Sequence, residues 1–480
     1  MRRPWRLGTA RVVIRRARSA SRDEDAAADE AMDMRLRPAR SGVRAGDLLP
    51  SVPYRKGPMI TRLEIRGYKS LGNVELTRLG PLVLVYGPNG VGKSNLLDAL
   101  DLVAHLVRED TLVQAFQKHR GNRLDRPLPV RWFFHGANEE SAGPELRMAF
   151  EVDLSLQARI REKLNGQLQE RELAERKQAY TRVSHENLRY CVAITYDKGT
   201  RSLQVVEESL EALTKDGAHN QAVKPFIRLD REQRRATVKL EKQSHPRVFT
   251  FPRDRTILSE VRDLVNHPHL VAAATELESV RVYYVEPTRM RLEVNDVEAT
   301  DPGSHGEFLA SFYHWLERTD PIGFKNLVLN LKRLVPGVRG IEVREGAEGF
   351  LELWVEEEGR GEFHASMVSE GTLRILCLLG IAVTPQPPAV VGYEEPENGV
   401  NPARLREMLE ILSGAAEDER QFVLTTHSPL VMDALQHAVR IRCERSNGGT
   451  RFLAEDDIPL FQHANARESL GTAVARGDLD

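Results

Sequence analysis

Alternation begins at Ile60: Thr61, Leu63 and Ile65 interleave with Arg62, Glu64 and Arg66, the period of two expected of a half-buried strand. The run Leu82-Val83-Leu84-Val85-Tyr86 is apolar throughout, as in a parallel strand covered on both faces. After a glycine-rich stretch, Leu96, Leu97, Leu100, Val103 and Leu106 recur at helical spacing. The order is strand, loop, helix. Residues 145–154 read as another strand, and 155–185 as a highly charged helix with Leu156, Ile160, Leu164 and Leu168 along one narrow side. A strand is expected at 190–196 and a helix near 256–265. Order returns with a strand at 280–285, helices at 308–316 and 324–334, and a hairpin over 341–355. Two more buried-strand patterns, 389–393 and 422–425, flank an amphipathic helix at 402–412, and both strands end in polar residues. Ligands sit at such strand tips in open α/β sheets.

Composition narrows the class. The chain has 480 residues, 41% hydrophobic and 29% charged, which suits a globular protein of two or three packed units. Lys and Arg total 68 against 70 Asp and Glu, so a nucleic-acid surface would have to be a local patch. Cys191, Cys377 and Cys443 have no metal-ligand spacing and no disulfide pattern, which fits a reducing cytoplasm. The apolar run 375–383 falls far short of the roughly 20 residues that span a bilayer. Residues 1–57 are Arg-rich, interrupted by Asp23-Glu24-Asp25, and lack an apolar period; a disordered extension is expected, with Met59 as an alternative start. An organelle transit peptide is disfavoured by those acids.

Four motifs carry chemistry. Gly87-Pro88-Asn89-Gly90-Val91-Gly92-Lys93-Ser94 matches the phosphate-binding loop in full. Its glycines let backbone N–H groups wrap phosphates, Lys93 neutralises their charge, and the Ser94 hydroxyl binds Mg²⁺. Glu394-Glu395-Pro396-Glu397 ends an apolar strand, where adjacent carboxylates are costly without a cation. Glu394 is assigned to the metal and Glu395 to the attacking water of phosphoryl transfer. His427, in Thr425-Thr426-His427-Ser428-Pro429, is placed to hydrogen-bond the γ-phosphate and that water. Ser369-Glu370-Gly371-Thr372 opens a helix, a ready anion site and equally an ordinary capping pattern.

Together with Ile65-Arg66-Gly67-Tyr68-Lys69-Ser70-Leu71, these motifs resemble ATP-binding-cassette (ABC) ATPases of the RecF, SMC and OLD type, and within them the small bacterial AAA-labelled proteins of phage-defence and toxin–antitoxin loci. The resemblance implies an α/β P-loop NTPase head, with a mixed sheet flanked by helices and an inserted lobe. Its halves would be 58–154 and 280–480, and the lobe 155–279. It implies ATP and Mg²⁺ as ligands and a head-to-tail homodimer, in which Ser369 and Gly371 of one copy touch the γ-phosphate held by Lys93 of the other. The loop from Glu397 to Pro402 would cross to the partner. This sequence departs from the pattern at Glu394, where Asp is usual, and at Glu370. The family's γ-phosphate-sensing Gln has only Gln114 and Gln117 as candidates.

The absence of a membrane segment and the short Ser-Glu-Gly-Thr disfavour a transporter, and 155–279 cannot hold a chromosome-scale coiled coil. An OLD-type nuclease implies an acidic nuclease domain after His427, where only a short tail follows. Two roles stay open. One is a DNA-engaging ATPase of repair or defence, with Arg231, Arg234, Arg235, Lys239 and Lys242 as a phosphate-contacting stripe, against the plainer reading of a solvated face shared with Asp230, Glu232 and Glu241. The other is a nucleotide-gated protein that holds or releases a separate toxin or nuclease effector.

Overall fold

Alternating β1 (Ile60–Tyr68) turns at Lys69, in the left-handed region at φ 45°, into β2 (Leu71–Thr77). These and the elements below come from a computed structural model that describes residues 57–119, 129–137, 143–175, 179–230, 235–241, 247–295, 297–346, 349–416, 420–446 and 449–455. The expected extension 1–57 lies, Gly57 apart, outside the described residues. β3 (Leu82–Tyr86) is buried at every position and leads through the glycine loop into α1 (Lys93–Arg108). Next come α2 (Leu112–Lys118), capped by the Thr111 side chain, β4 (Glu145–Ser155) and α3 (Ala158–Glu175). Of the helix expected over 155–185, the described part is Ala158–Glu175, and residues 179–185 are not helical; Leu164 and Leu168 are its buried residues.

Five antiparallel strands follow: β5 (Asn187–Asp197), β6 (Ser202–Ala212), β7 (Ile227–Asp230), β8 (Arg235–Val238) and β9 (Arg247–Phe249). They continue the sheet begun by β1, in the order β2-β1-β4-β5-β6-β7-β8-β9. The stretch 155–279, expected as an inserted lobe, therefore shares a sheet with the N-terminal strands. The helix expected near 256–265 is one turn, α4 (Ile257–Glu260), whose backbone N–H groups at Ile257 and Leu258 donate to buried Glu208. α5 (Pro268–Glu278) then packs on α1.

The second half supplies β10 (Arg281–Tyr283), α6 (Pro287–Met290), β11 (Val294–Asn295), α7 (Leu309–Thr319), α8 (Pro321–Leu334), β12 (Val338–Glu345), β13 (Phe350–Glu357) and β14 (Gly361–His364). It ends with α9 (Glu370–Val383), β15 (Val390–Glu394), α10 (Pro402–Ala416), β16 (Gln421–Thr426), α11 (Pro429–Ala434), β17 (Val439–Ser446) and β18 (Gly449–Ala454). The expected hairpin is β12 with β13, antiparallel. A second sheet runs β10-β15-β16-β3-β17-β18, parallel except for the final hairpin.

This sheet separates two cores, which explains its uniformly apolar strands. Val83 and Val85 face a core shared with α1 and the antiparallel sheet, whereas Leu82, Leu84 and Tyr86 face one built with α7 to α10. Gln421 ties the layers: its Oε1 accepts from Ile60 N at 2.8 Å, and its Nε2 donates to Ile60 O at 2.8 Å and Gly80 O at 3.0 Å. The carboxyl ends of β3, β15 and β16 lie along one edge. All the strand-tip motifs fall there.

Candidate functional site

The glycine loop is shaped by what lies beneath it. Gly87 has φ 151°, and a Cβ there would sit 2.1 Å from Cys443 O; Gly92 has φ 113°, and a Cβ would sit 2.2 Å from Thr450 Oγ1. Only glycine fits either position. Thr450 Oγ1 donates to Val91 O at 2.6 Å and meets Ser70 Oγ at 2.6 Å, while Asn95 Nδ2 donates to Ser70 Oγ at 2.8 Å. Gly90 has open space where a side chain would be. No side chain caps the start of α1 and no acid occupies its first turn, so its free N–H groups suit an anion. The Lys93 ammonium is buried and donates to Gly87 O and Pro88 O, each at 2.8 Å. Burial lowers its pKa, against the attraction of Glu395, Cys443, Glu397 and Glu394.

The strand tips bring the acids alongside. Ser94 Oγ donates to Glu394 Oε1, so the two oxygens expected to share a cation are in contact. An alcohol and a carboxylate are hard donors of the kind Mg²⁺ takes while keeping most of its water. Glu395 sits at φ 46°, which is strained for a residue with a side chain. It is held there from three sides: its N–H donates to Thr425 O at 3.0 Å, its Oε2 accepts from Asn398 Nδ2 at 2.7 Å, and its Oε1 lies 3.1 Å from His427 Nδ1. Glu397 Oε1 accepts from Thr426 Oγ1 at 2.6 Å and His427 N at 3.2 Å.

Ser369 caps α9, accepting from Thr372 N at 3.2 Å, and its hydroxyl meets Thr372 Oγ1 at 2.8 Å. Thr372 is therefore part of the cap. Glu370 is exposed, 3.9 Å from Arg291, whose Nη2 donates to Val368 O at 3.1 Å. Gly371 packs against the acidic loop of its own chain: a Cβ there would lie 2.5 Å from Gly399 O. Gln114 and Gln117 are exposed on α2. The strap at 133–135 lies against the β1–β2 turn, with His135 Nδ1 2.7 Å from Lys69 O. Arg231, Arg234 and Lys242 lie outside the described residues; Arg235 is exposed, and the Lys239 ammonium rests 5.1 Å from the Phe226 ring centre. Among the described residues no helix is long and apolar enough to cross a membrane.

The family described as "AAA domain, putative AbiEii toxin, Type IV TA system" matches residues 82–433, from the first parallel strand to the helix after His427. The chain belongs to that family. Within this AAA-domain family's wider group, the chain is similar to the DNA replication and repair protein RecF of Saccharophagus degradans, 36% identical over 67 residues, 14% of this chain and 16% of that one. It is also similar to the OLD nuclease of Thermus scotoductus, 44% identical over 45 residues, 9% of this chain and 8% of that one. Both matches span a small part of either protein. A solved SMC head, bound to the C-terminal winged-helix domain of ScpA, superposes with TM-score 0.50 at 12% identity, covering 85% of this chain and all of that one. The fold is that of an ABC-type ATPase head.

Sequence reasoning named the phosphate loop and the acids but missed the supports. Cys443 and Thr450 act by touching residues hundreds of positions away, and nothing local marks them, whereas Ser70 stands in the Ile65–Leu71 motif without a role assigned from the sequence. Asn398 carried a signal, a carboxamide one turn after an acid.

Proposed function

We propose that this chain is a Mg²⁺-dependent ATPase whose two copies close head to tail around ATP, so that binding clamps the dimer and hydrolysis releases it. The observation that carries the reading is the meeting of Ser94 with Glu394 and of Glu395 with His427, on one sheet edge beside Lys93. The loop amides of 87–94 and the Lys93 ammonium hold the β- and γ-phosphates once the ammonium leaves its carbonyl partners. Ser94 and Glu394 would hold Mg²⁺, which would supply positive charge beside the phosphates. Glu395 accepts the proton of the attacking water, and His427 keeps that carboxylate aimed. Its strained backbone and three bonds fix it in place before substrate arrives. The partner's Ser369 and Gly371 complete the site at the γ-phosphate.

Two roles fit such a clamp. Similarity to RecF and to the OLD nuclease supports a DNA-repair or anti-phage role, whereas the family's toxin-system description supports holding or releasing a separate effector. A DNA affinity that falls steeply with salt supports the first; an effector that co-purifies and leaves on ATP hydrolysis supports the second. The clamp is tested with Glu395→Gln: light scattering at saturating Mg-ATP should show a stable dimer, and a monomer there would refute it.

A further inference from the structure

Three of the four residues from Glu394 to Glu397 are carboxylates, and the third points back toward β16. The Glu397 side chain is 9% exposed, against 23% for Glu395 and 40% for His427. Its Oε1 collects the turn after β16: it accepts from Thr426 Oγ1 at 2.6 Å and from His427 N at 3.2 Å, and lies 3.5 Å from His427 Nδ1. Thr426 Oγ1 in turn accepts from Ser428 N at 2.9 Å, so one carboxylate oxygen organises three consecutive residues. Its Oε2 is buried and has no hydrogen-bond partner among the described residues. Half-satisfied buried carboxylates are costly, and stability alone would favour a neutral cap here. β16 ends at Thr426, so no sheet pairing holds His427, and the imidazole's approach to Glu395 depends on this turn.

We infer that Glu397 is a positioning residue, which grips the main chain at Thr426 and His427 so that the imidazole meets Glu395. Its bonds run to Thr426 and His427, and it acts through His427. The inference rests on the reading of Glu395 and His427 as the pair that handles the attacking water.

The test compares Glu397→Ala, Glu397→Gln and Thr426→Val in the full chain, by steady-state ATP hydrolysis and by backbone amide exchange without nucleotide. Glu397→Ala should lower kcat by about tenfold to a hundredfold with KM within about twofold, since a misplacement near 1 Å suffices for such a loss. Exchange at 426–428 should quicken at least about tenfold while the buried strand 82–86 stays protected. Glu397→Gln, whose amide oxygen can accept both bonds, should recover part of kcat. Wild-type turnover and protection in Glu397→Ala would overturn the inference; so would a fall in kcat and in substrate affinity together with lost protection at 82–86, which mark general destabilisation. If Glu397→Ala does not fold, Thr426→Val decides by the same readouts. If the wild-type protein hydrolyses no ATP, the ATPase reading fails by itself, and exchange at 426–428 still decides the positioning.

Discussion

Alanine at Gly371 would place a methyl carbon 2.5 Å from Gly399 O, about 0.9 Å short of ordinary contact. Either the start of α9 or the loop after Glu395 must give way. The neighbouring Arg374 guanidinium is fixed by its bond to Val285 O at 3.0 Å, and Gly399 also packs on that side chain. The loop is the softer partner, and its shift reaches Glu395 through Asn398. Overpacking of this size costs about 1–3 kcal/mol, whereas helix propensity alone would make alanine stabilising by roughly 0.5–1 kcal/mol. The two effects have opposite signs, so the nucleotide-free melting temperature separates them. Gly371→Ala should melt a few degrees lower, lose about tenfold to a hundredfold in kcat, and bind ATP within about twofold of wild type, because 87–94 is untouched. Phosphate release, nucleotide titration and thermal melting measure the three. An unchanged or higher melting temperature with normal kcat would refute the packing argument.

Ser369→Arg should abolish turnover while leaving nucleotide affinity of the monomer unchanged, read by titration and phosphate release. Gln421→Leu strands the buried Ile60 N–H and the Ile60 and Gly80 carbonyls, at about 1–3 kcal/mol for each group left unpaired; amide exchange should quicken in β1 before β15. Burial pushes the Glu208 carboxyl up to about 7, against bonds from Ile257 N, Leu258 N and Tyr190. The folded state then keeps a proton that the unfolded chain releases near 4.5, so this group's contribution is full below that pH and declines toward 7, by about 3 kcal/mol. The stability difference between wild type and Glu208→Gln, measured by urea denaturation from pH 5 to 8, should narrow with rising pH and then level off. A gap independent of pH would count against the buried carboxyl.

Much of the architecture was legible where pattern and burial coincide. β3 reads as a buried strand because Leu82 to Tyr86 alternate between two cores, and the strand tips name their polar residues directly. The strands within 155–279 carry no motif of their own, and their pairing to β4, which places them in the first sheet, leaves no local mark in the sequence. The helix expected over 155–185 overran because charge alone does not end a helix. Gly371 shows a second limit: its local pattern signals an anion site, and the contact with Gly399 O comes from a loop that no spacing rule relates to it.

β17 pairs with β3, Cys443 O lies where a side chain on Gly87 would go, and Thr450 bonds to Val91 O across 359 residues of sequence. During synthesis the phosphate loop therefore emerges long before its supports exist. Until residues 439–454 leave the ribosome, β3 remains open on that side and Gly87 and Gly92 lack the Cys443 and Thr450 contacts beneath them. Competence to bind nucleotide is acquired only once residues 439–454 are made, so a chain cut short before Val439 carries the whole loop motif without the supports that shape it.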